Sequence, residues 1–274
     1  MAGIPLETLF QIMAGGALVG FLVGLTGVGA GALMTPMLIS GFGVSPAVAV
    51  GTDLLFASIT KATAAARHHN YGNVSWPILR WLSAGSLSAA TVTMAWLYFA
   101  APDTARLGEI IRGLLAILLV ASAIIIPLCP WVLRKRRHGA EAEANDVPVR
   151  PHATLTTGLV LGVSVALTSV GAGAIGVAVL SALYPALIAR RIVGTDIVHA
   201  VPLAFISGIG HLGLGNVDWL ILAALLCGSI PAIAIGSRLT GHLPEWLLRI
   251  ALSIVLLYAA YLLLPYLLLL IEKL

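Results

Sequence analysis

Charge is scarce in this 274-residue chain: 9% of its residues are Asp, Glu, Lys or Arg, where a soluble domain carries roughly a quarter. With 59% hydrophobic residues and a mean hydropathy of +1.04, that shortage excludes a water-soluble fold and points to an integral membrane protein. Alternating ten-residue strands are also missing, which favours a helical bundle over a barrel. There are only two cysteines, Cys129 and Cys227. They lack ligand spacing, so they read as packing residues and not as a disulfide framework. The histidines His68, His69, His199 and His211 are joined by no Cys or Glu cluster, and no metal site or cofactor is expected. The segment from Met1 to Gln11 has no basic region, so a cleaved signal peptide is not expected. Net charge +4 reflects basic loops on the cytoplasmic side, and nucleic acid is not an expected partner.

Within this apolar background one stretch occurs twice. Gly24-Leu25-Thr26-Gly27-Val28-Gly29-Ala30-Gly31 leads to Gly51-Thr52-Asp53, and Ala166-Leu167-Thr168-Ser169-Val170-Gly171-Ala172-Gly173 leads to Gly194-Thr195-Asp196. Closely spaced glycines break each apolar helix, and matched broken helices are the best sequence pointer to a transporter's binding site. Gly29 and Gly171 are 142 apart; Thr52 and Thr195, Asp53 and Asp196, His68 and His211, Asn73 and Asn216, Trp76 and Trp219, and Gly85 and Gly228 are all 143 apart. A single-residue gap accounts for the change, so the chain is an internal duplication.

Apolar segments fall near 10–26, 30–42, 46–66, 77–100 and 106–128, and again near 154–169, 172–184, 191–210, 217–237 and 246–270. The polar run from Arg134 to His152 divides them. The expected organisation is a membrane half over 8–133, a basic cytoplasmic linker over 134–152 and a second membrane half over 153–271. The second segment of each half is short, either a half-helix or part of a re-entrant hairpin. Counting each broken stretch as down-and-back puts twelve basic residues on one side of the membrane, with only Arg106, Arg112 and Lys273 opposite. A single long span there would divide them nine to six. The positive-inside rule favours the first count. The fold class is therefore an all-α polytopic membrane protein of two inverted repeats, each of about five segments, with 8–10 transmembrane helices and the first helix of each repeat broken by glycines. Trp76 and Trp219 read as interfacial anchors, and Leu262 to Leu270 as lipid-facing.

This ordered set resembles the sulfite exporter TauE/SafE family. The resemblance is carried by Gly27-Val28-Gly29-Ala30-Gly31, Pro36, the two Gly-Thr-Asp segments, Gly215-Asn216-Val217-Asp218-Trp219, Gly228-Ser229-Ile230-Pro231 and Gly236. It runs from about Gly15 to Leu263 and departs at Ala30, Ala172 and Ser169, where the family's glycine runs are denser. It implies a non-enzymatic secondary transporter of the inner membrane, carrying sulfite, sulfonates or related small anions.

The candidate site follows from the residues themselves. An ionisable residue at membrane depth is a functional candidate by default. Asp53 and Asp196 are read either as proton-coupling carboxylates or as caps that fix the break, with His199 one turn beyond Asp196 as a companion relay. A carboxylate repels an anion, so substrate contact is expected from the amides around Gly27, Gly29, Gly31, Gly171 and Gly173, with Thr52 and Thr195. Lys61, two turns beyond Asp53, is either the attracting cation or a snorkelling residue; its counterpart is Ala204. His211 joins the substrate set because His68 repeats its position. The rival readings are a non-transporting membrane subunit and an intramembrane aspartyl hydrolase built on the two aspartates.

Overall fold

The computed structural model describes residues 5–26, 31–100, 103–136, 147–239 and 245–272. The first half comprises α1 (Leu6–Thr26), α2 (Gly31–Pro36, continued by a π-helical turn over Met37–Gly41), α3 (Pro46–Asn70), α4 (Trp76–Ala100) and α5 (Thr104–Arg136). The second comprises α6 (Pro151–Thr168), α7 (Ala174–Leu183), α8 (Ala189–Gly213), α9 (Trp219–Leu239) and α10 (Glu245–Glu272). The linker expected over 134–152 is shorter than its polarity suggests. The helix-forming run Arg134 to Arg136 continues α5, and Pro151 opens α6 at a position where its missing N–H costs nothing.

Among the described residues, seven helices are long and apolar enough to cross a membrane: α1, α3, α5, α6, α8, α9 and α10. The remaining long helix, α4, has 25 residues, about 37 Å at 1.5 Å per residue. The two short helices follow the glycine breaks and run back along their hairpins. At the N-terminal hairpin, Thr8 and Ile12 of α1 line one cavity of about 290 Å³ together with Phe42 and Ser45. A Cβ on Gly15 would lie 2.8 Å from the Met37 sulfur. At the second hairpin, the Tyr184 hydroxyl meets Thr154 Oγ1 and accepts the Arg150 N–H at 3.1 Å, tying the end of α7 to the start of α6. After each interruption the chain thus packs back along the helix that precedes it.

Close contacts between the halves agree. Gly51 of α3 lies against His211 and Asn216 at the end of α8, while Gly194 at the start of α8 lies against His68 and Asn73 at the end of α3. The equivalent helices α3 and α8 therefore run antiparallel, the relation inverted copies require. The halves also interdigitate, with α1 packing on α9 and α6 on α4. Both pairs use the small-residue spacing that lets membrane helices approach without a solvent-driven hydrophobic force. A Cβ on Gly228 would come within 2.0 Å of the Met13 carbonyl oxygen, and one on Gly85 within 2.2 Å of the Leu155 carbonyl oxygen. These are the same contact made twice, each time between the halves. Leu115 and Leu119 of α5 share a buried cluster with Leu252 and Leu256 of α10. Val92, Trp96, Phe99, Ile254 and Tyr258 point outward, as a lipid-facing surface requires. Trp76 and Trp219 are exposed at the starts of α4 and α9. Leu262 and Leu264 are exposed but Leu263 is buried, so this part of the tail has one outward and one inward face, while the side chains of Leu267 to Leu270 lie outside the described residues.

Gly51→Ala would drive a methyl group to 2.0 Å from the Asn216 carbonyl oxygen, whereas Gly213 has open space around it. Overpacking of this kind costs about 1–3 kcal/mol. Thermal melting of the purified protein in detergent should drop clearly for Gly51→Ala and hold for Gly213→Ala; equal melting of the two variants would contradict the contact.

Candidate functional site

Each Gly-Thr-Asp segment divides its labour. The glycine removes a side chain where the opposite half's loop crosses: a Cβ on Gly51 or Gly194 would sit 2.0 Å from the carbonyl oxygen of Asn216 or Asn73. The threonine fastens that loop. Thr52 Oγ1 accepts the Asp218 N–H at 3.1 Å, and Thr195 Oγ1 accepts the Ser75 N–H at 2.9 Å while donating to the Arg191 carbonyl at 2.7 Å. Asp218 and Ser75 are themselves 143 residues apart, so one clamp occurs twice. The sequence reading placed Thr52 and Thr195 against substrate; here both hydroxyls are engaged in joining the halves. The aspartate is the member left to face the broken-helix hairpin.

Asp53 is fully buried, and its Oδ2 accepts a 2.6 Å hydrogen bond from the Thr35 hydroxyl of α2. The Ser169 hydroxyl, from the break of the other half, adjoins the same carboxylate. Asp196 is docked on α7. Its carboxylate meets the Gly173 N–H, and a Cβ on Gly176 would lie 2.1 Å from Oδ1. In each aspartate Oδ1 has no hydrogen-bond partner in the protein. Lys61 is half-buried and lies within electrostatic reach of Asp53, Asp196 and His199. One cation therefore stands between two buried carboxylates.

The break of the second half is fully described. Ser169 ends α6 in a left-handed conformation (φ 62°), and Gly171 and Gly173 take φ of 136° and 117°, angles that favour glycine over residues with a Cβ. The backbone groups freed by the break are taken up locally. Thr168 Oγ1 accepts the Val170 N–H at 3.2 Å, and His211 Nε2 donates to the Ala166 carbonyl at 2.9 Å. His211 was expected to touch substrate; instead it supports the broken helix, with the hydrogen on Nε2 because a carbonyl can only accept. The Gly173 amide, expected to meet an anion, is occupied by the protein's own Asp196. Gly27 and Gly29 lie outside the described residues, and Gly31 begins α2.

His199 is buried with its Nε2 at 2.6 Å from Ser86 Oγ of α4. Its counterpart, 143 residues earlier, is the buried Phe56, and the counterpart of Ser86 is Ser229, whose hydroxyl has no partner in the protein. Sequence reasoning missed Thr35, Ser86 and the role of Ser169. Ser169 carried a signal as a departure from the repeated glycine. Thr35 and Ser86 are small hydroxyl residues among many in apolar helices and carried none.

The two aspartates lie far apart. The register of α3 on α8 places Asp53 beside the C-terminal end of α8 and Asp196 near its N-terminal end. Some fifteen residues of helix between them, roughly 20 Å, preclude a proton-sharing dyad, and the aspartyl hydrolase reading loses its geometric basis.

Residues 12–263 match the sulfite exporter TauE/SafE family. The chain is 37% identical over 230 residues to the probable membrane transporter protein YjnA of Bacillus subtilis, covering 84% of this chain and 89% of that protein. It is 27% identical over 242 residues to the probable membrane transporter protein YdhB of the same organism, covering 86% and 91%. No solved structure matches.

Thr195→Val keeps the shape of the side chain but leaves the Ser75 amide without its acceptor, a loss of about 1–3 kcal/mol. Melting of the purified protein should fall for Thr195→Val and recover in Thr195→Ser. Melting unchanged in the valine variant would refute the clamp.

Proposed function

The chain belongs to the sulfite exporter TauE/SafE family of membrane transporters, and we propose that it is a proton-coupled secondary carrier for a small sulfur-containing anion such as sulfite or a sulfonate. It works by alternating access in the inner membrane, with the basic linker on the cytoplasmic side. The observation that carries this reading is Lys61, a half-buried cation between Asp53 and Asp196 with no partner of its own in the opposite half, where Ala204 stands. With all three groups charged the site is net negative and repels an anion. With one carboxylate protonated, the lysine's charge is free to attract substrate. Anion binding and proton binding then favour each other, as symport requires.

Of the two carboxylates, Asp196 has the better setting for the coupling proton. His199 stands one helical turn away with its Nδ1 unpartnered in the protein and its Nε2 on Ser86, a pair able to pass a proton. The hairpins α1–α2 and α6–α7 supply the moving parts. The break after α6 is irregular backbone of the kind a membrane tolerates only when protein or a polar cavity satisfies it.

Uptake of labelled sulfite and a panel of small sulfonates into proteoliposomes tests the reading. A pH gradient should drive accumulation, and Lys61→Ala should lower it at least tenfold while Lys61→Arg retains part. Asp196→Asn should lose gradient-driven accumulation yet keep exchange of labelled for unlabelled substrate, because Asn imitates the protonated acid. Silence of the unaltered protein across the panel would favour a non-transporting membrane subunit, and flux indifferent to the gradient and to Asp196→Asn would end the coupling claim.

A further inference from the structure

The two halves treat their aspartates differently. Around Asp196 stand an N–H donor, the bare α-carbon of Gly176 and, one turn along, an imidazole. Around Asp53 stand oxygens. Thr35 Oγ1 hydrogen-bonds to Oδ2 at 2.6 Å and, having given its proton, keeps its lone pairs. Ser169 Oγ faces the carboxylate near enough to act on it but beyond a close hydrogen bond, and Ser169 Oγ and Asp53 Oδ1 each lack a partner at hydrogen-bond distance. All three side chains are buried: Asp53 and Thr35 are 0% exposed and Ser169 is 7% exposed. Ser169 is also the C-terminal cap of α6, the end of a helix that carries partial negative charge and favours cations. A carboxylate oxygen, two hydroxyls and a helix C-terminus make up the ligand chemistry of a hard monovalent cation, and the broken helices of carriers bind cations in this way.

We propose that Asp53, Thr35, Ser169 and the C-terminal end of α6 form a binding site for a small monovalent cation of the sodium class. The charged side chain bearing on it from its own helix is Lys61, eight residues away, about 12 Å along the helix, too far to pair directly with Asp53. A resident cation there neutralises Asp53 and leaves Lys61 to the substrate. It also joins α2 and α3 of one half to the broken helix of the other. The site is legible as an asymmetry of the repeat, since the counterpart of Ser169 is Gly27, which offers no side-chain oxygen. The role in transport rests on the carrier reading above; the binding itself does not.

The test uses the sodium ion alone, on the full chain purified in detergent, with choline chloride holding ionic strength constant. Raising sodium from 1 to 150 mM should raise the melting temperature by roughly 3–8 °C, as ligand linkage predicts for a chain of this size. Asp53→Asn should abolish the rise, and Asp196→Asn should keep it. Ser169→Gly should move the half-point to at least tenfold higher sodium without lowering melting in choline, because glycine accepts the left-handed backbone at that position without strain. The proposal is overturned by a rise no larger in sodium than in choline at both pH 6 and pH 8, or by equal responses in the unaltered protein and Ser169→Gly. A sodium response with no anion uptake would sink the carrier reading and leave the site standing; proton-driven uptake with no sodium response would do the reverse.

Discussion

A helix broken inside a membrane leaves peptide groups that no lipid can satisfy, and the architecture is arranged around that constraint. Each unpaired backbone group in hydrocarbon costs several kcal/mol, so a break persists only where other parts of the protein supply partners. In the second half those partners come from several elements. His211 at the end of α8 takes the Ala166 carbonyl, the Thr168 hydroxyl takes the Val170 amide, and Asp196 takes the Gly173 amide. Two of the three come from α8, the helix that bears the Gly-Thr-Asp segment. The break and that segment therefore form one unit, in which the aspartate supports the backbone. A carboxylate that holds the break also reports on it: whatever neutralises or displaces the carboxylate changes the support of the helix end.

A second unit holds the halves together and is built from glycines. The pairs α1 with α9 and α6 with α4 meet backbone against backbone, with Gly228 on Met13 and Gly85 on Leu155. Contacts of this kind leave little room for sliding, because any side chain larger than hydrogen collides with a carbonyl. The Thr52 and Thr195 clamps add one directed hydrogen bond at each end of the α3–α8 crossing. The result is a frame tied at both ends of that crossing, against which α2 and α7 are the short elements. At about 15 Å, α7 is too short to reach across the bilayer by itself.

Much of this was legible in the sequence because duplication turns spacing into structure. The constant offset of 143 residues linked Asp53 to Asp196 and Asn73 to Asn216, and the contacts of Gly51 and Gly194 obey the same offset. The glycine break after α6 was also readable, from Gly171 and Gly173. What the sequence could not assign was the work within a motif. In Gly-Thr-Asp the threonine and the aspartate both read as site residues, yet the threonine is engaged as a clamp and the glycine is a clearance for a crossing loop, since close approach of a distant loop leaves no trace in local pattern. His211 misled for the same reason: a histidine repeated at symmetric positions serves a repeated structural need as readily as a repeated chemical one. Thr35 escaped notice because a threonine in an apolar helix usually bonds its own backbone, as Thr93 does with Ala89.

Symmetry also says where function has to be sought outside the symmetric set. In a carrier built from inverted repeats, the two access states exchange the conformations of the two halves. A residue present in both halves can be used once in each state. A residue present in only one half has to serve both states, or else make them different. Several buried or half-buried positions around the carboxylates break the repeat: Lys61 against Ala204, His199 against Phe56, Ser169 against Gly27, and Thr35, for which the other half has Val177 and Ala178. Lys61 lies near the middle of α3, where the antiparallel crossing gives it reach to Asp53 on one side and Asp196 on the other. That is the one level from which a single cation can answer to both faces. His199 and Ser169 lie off-centre, each beside a different aspartate, and so give the two carboxylates unlike surroundings. A perfectly symmetric protein would bind the same partners with equal strength from either side. These departures from the repeat set the two carboxylates in different chemical surroundings on an otherwise duplicated frame.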